Sequence, residues 1–130
     1  MSSPKYAPPI TPARRHAAGT ILWSDTLSAP VQFAFANASA AGSNPIIDAI
    51  PNTAIVVLAL LVISAQAQSI EFQSNTTAIT AQFPLSANGG FSLPLSEHGW
   101  FQTNYGEGLN ILLPSTITTG VQIVWAGQVQ

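Results

Sequence analysis

The sequence predicts an all-β fold, a jelly-roll-like antiparallel β-sandwich with an extended N-terminal arm. Three observations carry that prediction. Turn signals rich in Gly, Pro, Asn and Ser recur along residues 20–130, at the roughly eight-to-twelve-residue spacing of sandwiches and jelly rolls. The stretches between them alternate apolar and polar side chains or are apolar throughout, and no stretch repeats with a helical period. The longest apolar run, residues 54–63, is rich in β-branched residues, which suit a pleated, packed surface.

That run, AIVVLALLVI, carries no charged or hydrogen-bonding side chain. It is too short to cross a bilayer as a helix, which needs about 20 residues, and Asp48, Pro51 and Asn52 interrupt it upstream. Ile55, Val56, Val57, Val62 and Ile63 decide for strand over helix. The expectation is a central strand buried on both faces or nearly so. It would lie between two sheets, or between one sheet and a neighbouring subunit.

The remaining elements follow in order. Residues 1–19 hold Pro4, Pro8, Pro9 and Pro12, which forbid regular helix and favour extended backbone. From residue 20 the sandwich domain begins, with short strands predicted over 21–23 and 31–35. In the second of these, Val31, Phe33 and Phe35 share one face and Gln32 and Ala34 the other. Residues 37–44, NASAAGSN, read as a flexible loop. A strand over 46–50 ends at Pro51-Asn52, the central run follows, and residues 66–69 turn the chain. Residues 70–73 form a strand, 75–77 turn, and 78–83 pair weakly. Asn88-Gly89-Gly90 is a strong turn, because glycine takes positive φ without steric cost. Phe91, Leu93 and Leu95 then alternate on one face. Short strands are expected over 100–103 and 108–113, with turns at 104–106 and 114–115. Residues 119–129 close the chain, with Val121, Ile123 and Trp125 opposite Gln122, Val124 and Ala126. About eight to ten strands fit this pattern.

Charge is scarce and unevenly placed. Asp, Glu, Lys and Arg make up 6% of the chain, against about 25% in ordinary soluble domains. Lys5, Arg14 and Arg15 are the only basic residues, whereas Asp25, Asp48, Glu71, Glu97 and Glu107 all follow them. A basic arm on an acidic body predicts that residues 1–19 either dock on an acidic surface or trail as a solvated tail. Lys5, Tyr6, Arg14 and Arg15 are the arm's candidate partner-binding residues. A body with so few charges would expose apolar patches that monomers rarely tolerate, so self-association is expected.

Several function classes find no support in the residues. There is no G-x-S-x-G, H-E-x-x-H or Walker loop, and no enzyme activity is expected. Cysteine is absent, and Glu97 beside His98 is no metal-ligand set, so neither metal nor cofactor is expected. Three basic residues neutralise at most about three phosphates, which argues against a nucleic-acid partner. The N-terminus lacks the apolar core of a secretory signal and no membrane anchor is visible. Without such a signal, the sequons at Asn37 and Asn75 read as chance. Trp100, Phe101 and Tyr105, near Asn104 and Asn110, are candidates either to stack on a glycan or to close the core or a subunit interface.

Residues 60–125 carry a recognisable series of motifs. An apolar strand is followed by Phe72 to Ser74 in an x-F-x-S strand, then by PLSANGG at 84–90. GWFQT follows at 99–103 and GEGLN at 106–110. This order resembles a family of small proteins encoded in tailed-phage structural gene clusters. The resemblance implies a β-sandwich that decorates or cements the capsid surface of the virion, usually as a homotrimer, with the major capsid protein as partner. Within it, Glu107 and Asn110 serve either the fold or a subunit contact. The alternative role is a tail or fibre component that binds host-surface glycan through Trp100, Phe101 and Tyr105.

Overall fold

The computed structural model describes residues 22–24 and 29–130, and within them the fold is all-β. Eleven strands follow in order. They are β1 (Leu22–Ser24), β2 (Ala29–Ala38), β3 (Gly42–Ile47), β4 (Thr53–Ser64), β5 (Gln68–Ser74) and β6 (Thr77–Ala78), then β7 (Phe83–Leu85), β8 (Gly89–Leu93), β9 (Phe101–Gln102), β10 (Leu109–Leu113) and β11 (Thr119–Val129). One sheet has the order β1-β2-β11-β4-β8, with β9 also on β4. The other has the order β3-β10-β5-β6, with β7 also on β5. All pairings are antiparallel. The connections β2 to β3, β4 to β5, β7 to β8 and β10 to β11 each pass from one sheet to the other. That is jelly-roll wiring.

The core fills the space between the sheets. Ile55, Val57, Leu60 and Val62 of β4 join Val121, Ile123 and Trp125 of β11 from one side. Ile70 and Phe72 of β5 and Leu109, Ile111 and Leu113 of β10 meet them from the other. The spacing along β4 is irregular, since Val57 and Leu60 both face inward. A β-bulge explains it. The register with β11 slips between Val124 and Trp125, so that Val124 faces Ala59 but Trp125 faces Val57, leaving Leu58 extra. An extra residue in one strand flips the parity of everything beyond it. A strictly alternating sequence would then present polar side chains to the core. The unbroken apolar run tolerates the slip.

Burial on both faces of β4 holds for only part of its length. Val56 and Leu58 point away from the main core but are buried with Ala29 and Ala126, beside Val31 and Val124. Gly99 lies close over Val56: a Cβ there would stand 2.5 Å from the valine Cγ1. Beyond the bulge the outer face opens, and Leu61 and Ile63 are exposed.

Other segments differ from the sequence-based expectation for physical reasons. The loop expected over 37–44 shrinks to residues 39–41, because the Asn44 amide donates to the carbonyls of Ala40 (2.7 Å) and Gly42 (3.0 Å) and clamps the reversal. Gln68, expected in a turn, begins β5 and is buried, donating to Ser64 Oγ at 2.8 Å and Thr119 Oγ1 at 2.6 Å. Leu95 leaves the face of Phe91 and Leu93 and is exposed. In the Asn88-Gly89-Gly90 turn it is Asn88, at φ 57°, that takes the positive angle. Gly90 serves a different need, since a Cβ there would overlap the Val62 carbonyl oxygen and stand 2.8 Å from Ile63 Cα.

Candidate interaction surface

The outer face of the larger sheet is the most distinctive surface of the described chain. Residues paired across antiparallel strands point to the same side, so the registers give its rows directly. Phe33, Val124 and Ala59 form one row, Phe35, Gln122, Leu61 and Ser92 the next, and Asn37, Gly120, Ile63 and Gly90 a third. Phe35 is 75% exposed, Phe33 65%, Ile63 49% and Leu61 43%. Two grooves of about 250 Å³ each cross the face. One is lined by Phe35, Asn37, Leu61, Ile63, Gly120 and Gln122, the other by Phe33, Ala59, Leu61, Leu93, Gln122 and Val124. No charged side chain occurs in these rows.

The local reason lies in β2. Its alternation places Phe33 and Phe35 outward and Ala34, Ala36 and Ala38 inward, where Ala34 and Ala38 pack on the core. The inward alanines stand opposite Ile123, Val121 and Thr119 of β11, all buried. The larger side chains go to solvent. The sequence signal was the alternation QFAFANA itself, which shows two faces but not which one turns inward.

The GEGLN segment has a structural assignment. Ser74 Oγ donates to Glu107 Oε1 at 2.5 Å and accepts from the Asn104 backbone N–H at 3.0 Å. Asn104 Nδ2 also reaches Glu107 Oε1, at 3.3 Å. Asn75 Oδ1 accepts from Gly108 N–H at 3.0 Å, and Asn110 Nδ2 donates to the Asn75 carbonyl at 2.8 Å. Glu107 and Asn110 thus tie the β9–β10 connection to the turn after β5. Ser74 is fully buried, and Ser74→Ala removes both the donor to Glu107 and the acceptor for Asn104. Losing such a pair costs about 1–3 kcal/mol, which a urea unfolding midpoint at neutral pH will report.

The aromatic trio divides. Phe101 packs inward against Phe72, with ring centroids 5.3 Å apart. It is half-buried at the edge of the core. Trp100 and Tyr105 are exposed, and Trp100 Nε1 donates to the Pro94 carbonyl at 2.8 Å. Of the three rings, Phe101 turns to the core and Trp100 and Tyr105 to solvent. Lys5, Tyr6, Arg14 and Arg15, with the whole segment 1–19, lie outside the described residues. Among the described residues no group of three or more His, Asp or Glu converges on a point that would hold a metal ion. No helix there is long and apolar enough to cross a membrane.

Comparison with known proteins adds little. No protein-family model matches the chain, and no curated protein matches it significantly. Among solved structures it is similar to the capsular polysaccharide assembling protein CapF from Staphylococcus aureus, with 13% identity and a TM-score of 0.32. That match covers 90% of this chain but 31% of CapF, so the chain spans less than a third of that protein's length. A likeness at this level carries no argument about fold or function.

Proposed function

We propose that this chain is a structural virion protein that decorates or cements a capsid. It associates with copies of itself, as a homotrimer, and bridges neighbouring major capsid subunits. The observation that carries the reading is the uncharged, apolar outer face of the larger sheet, with Phe33, Phe35, Leu61 and Ile63 exposed. Contiguous apolar surface of this kind marks an interaction site, and a charge-poor body suits large contacts in which an unpaired buried charge would be costly. The virion, the capsid partner and the number three come from the motif resemblance over residues 60–125. The mechanism is mechanical: contacts between rigid β-sandwiches spread load across the shell, and no bond is made or broken.

Imaging of labelled copies on the virion tests this. Density over capsid three-fold positions, at a copy number near that of the major capsid protein, is the expected result. Density at the tail tip, with binding on a glycan array, would assign the chain to a tail or fibre instead. The arm has its own test. Deleting residues 2–19 is expected to leave a folded body that no longer attaches to shells lacking their own copy. Full attachment of the truncated protein at moderate salt would reduce the arm to a passive tail.

A further inference from the structure

We infer that the occupant of the outer face of the larger sheet is a second copy of this chain, not the capsid and not the chain's own basic arm. The inference rests on the self-association in the reading above and names the surface that performs it. Every charged side chain among the described residues is acidic: Asp48, Glu71, Glu97 and Glu107. None of them belongs to the rows of this face, which are built from β2, β11, β4 and β8. Two copies meeting through their acidic surfaces would bring carboxylate against carboxylate, which suppresses association. A contact that uses this face on at least one copy avoids that repulsion.

The other occupants fit less well. Lys5, Arg14 and Arg15 seek carboxylates, and the face offers none. A partner with a strongly charged docking surface would have to bury its charges unpaired against Phe33, Phe35, Leu61 and Ile63. A neutral, amide-bearing and apolar surface is what the face requires, and the charge-poor body of another copy supplies one. The size also fits. Four side chains exposed to this degree present on the order of 500 Å², and the aliphatic and amide neighbours in the same rows extend that toward the roughly 800 Å² per partner of a standard interface. The grooves on either side of Gln122 give such a partner relief to fill. One, at about 250 Å³, is larger than the cavity of about 150 Å³ that holds a benzene ring in an engineered core.

The test uses the full chain in purified form. Wild type is expected to run as an oligomer by light scattering at micromolar concentration and to stay associated at high salt, since the contact is apolar. The double variant Phe33→Ser/Phe35→Ser is expected to be a folded monomer, with the dissociation constant raised about a hundredfold or more. Because the chain has no cysteine, single-cysteine variants give a second readout that does not depend on the double variant folding. Gln122→Cys, on the face, should react slowly with a thiol reagent at high protein concentration and fast on dilution. Ser69→Cys, at an exposed position of the otherwise largely buried β5, should react fast at both. A monomeric wild type overturns self-association itself, whatever virion imaging shows. An oligomeric wild type with an oligomeric double variant, or with Gln122→Cys reactive throughout, overturns the assignment of this face and leaves self-association and the virion role standing.

Discussion

Gly90→Val is expected to destroy the folded state. A side chain at this position would overlap the Val62 carbonyl oxygen and crowd Ile63 Cα and Val62 C, each 2.8 Å from its Cβ. These are backbone atoms of β4 and have no rotamer into which to retreat. β8 must therefore peel away from β4, losing the pairs Val62–Phe91 and Leu60–Leu93 that close this end of the core. Overpacking alone costs about 1–3 kcal/mol, and loss of the strand adds to it, against a total stability of about 5–15 kcal/mol for a typical domain. Insoluble expression, or a far-UV spectrum without β signature, is the predicted readout. Gly120→Ala is the control. Its Cβ meets nothing nearer than Asn37 Oδ1 at 4.0 Å, so its thermal midpoint should move by less than the equivalent of about 1 kcal/mol.

The second large effect is Phe72→Ala. Phe72 is fully buried, packs on Phe101, and sits where β5 meets the β4 side of the core. Removing a buried ring costs about 3–5 kcal/mol, because transfer energy is lost and a cavity remains. The ring pair with Phe101 contributes about 0.5–1.5 kcal/mol beyond area burial. A drop in Tm of more than about 10 °C is the expected outcome in a calorimetric scan. Phe72→Leu keeps most of the volume and should lose no more than about half as much. If alanine and leucine gave equal, small shifts, the ring would not hold the two sheets together as the packing indicates.

How much of this was legible before the structure depends on the residue. The sequence predicts β11 with its observed ends, Thr119 and Val129, because its alternation is long and a turn precedes it. The β-branched residues mark β4 as a strand, but its bulge leaves no sign in the sequence: a run with no polar residue has no phase to shift. The orientation of β2 is equally hidden, since Phe33 and Phe35 alternate with alanines and neither face is marked by polarity. The interaction surface therefore could not be read from hydrophobicity alone. The motif 106–110 is visible as a pattern, yet its role lies in the hydrogen bonds of Ser74 and Asn75, more than thirty residues away. The burial of Gln68 has no signal in the sequence, because a glutamine beside a turn ordinarily faces water.

The position of β11 has a kinetic consequence. It lies between β2 and β4 and pairs with both along nearly their whole lengths, yet it follows every other strand in sequence. The larger sheet cannot close until residue 119 onward has been made. Before then β4 shows one whole edge of its most apolar run, uncharged and free of proline, the composition most prone to cross-strand aggregation. Contacts so distant in sequence also slow folding, to milliseconds or longer in all-β domains. Chains cut short before residue 119 should therefore aggregate instead of accumulating as a soluble half-sandwich, and the hazard ends only when the central strand arrives.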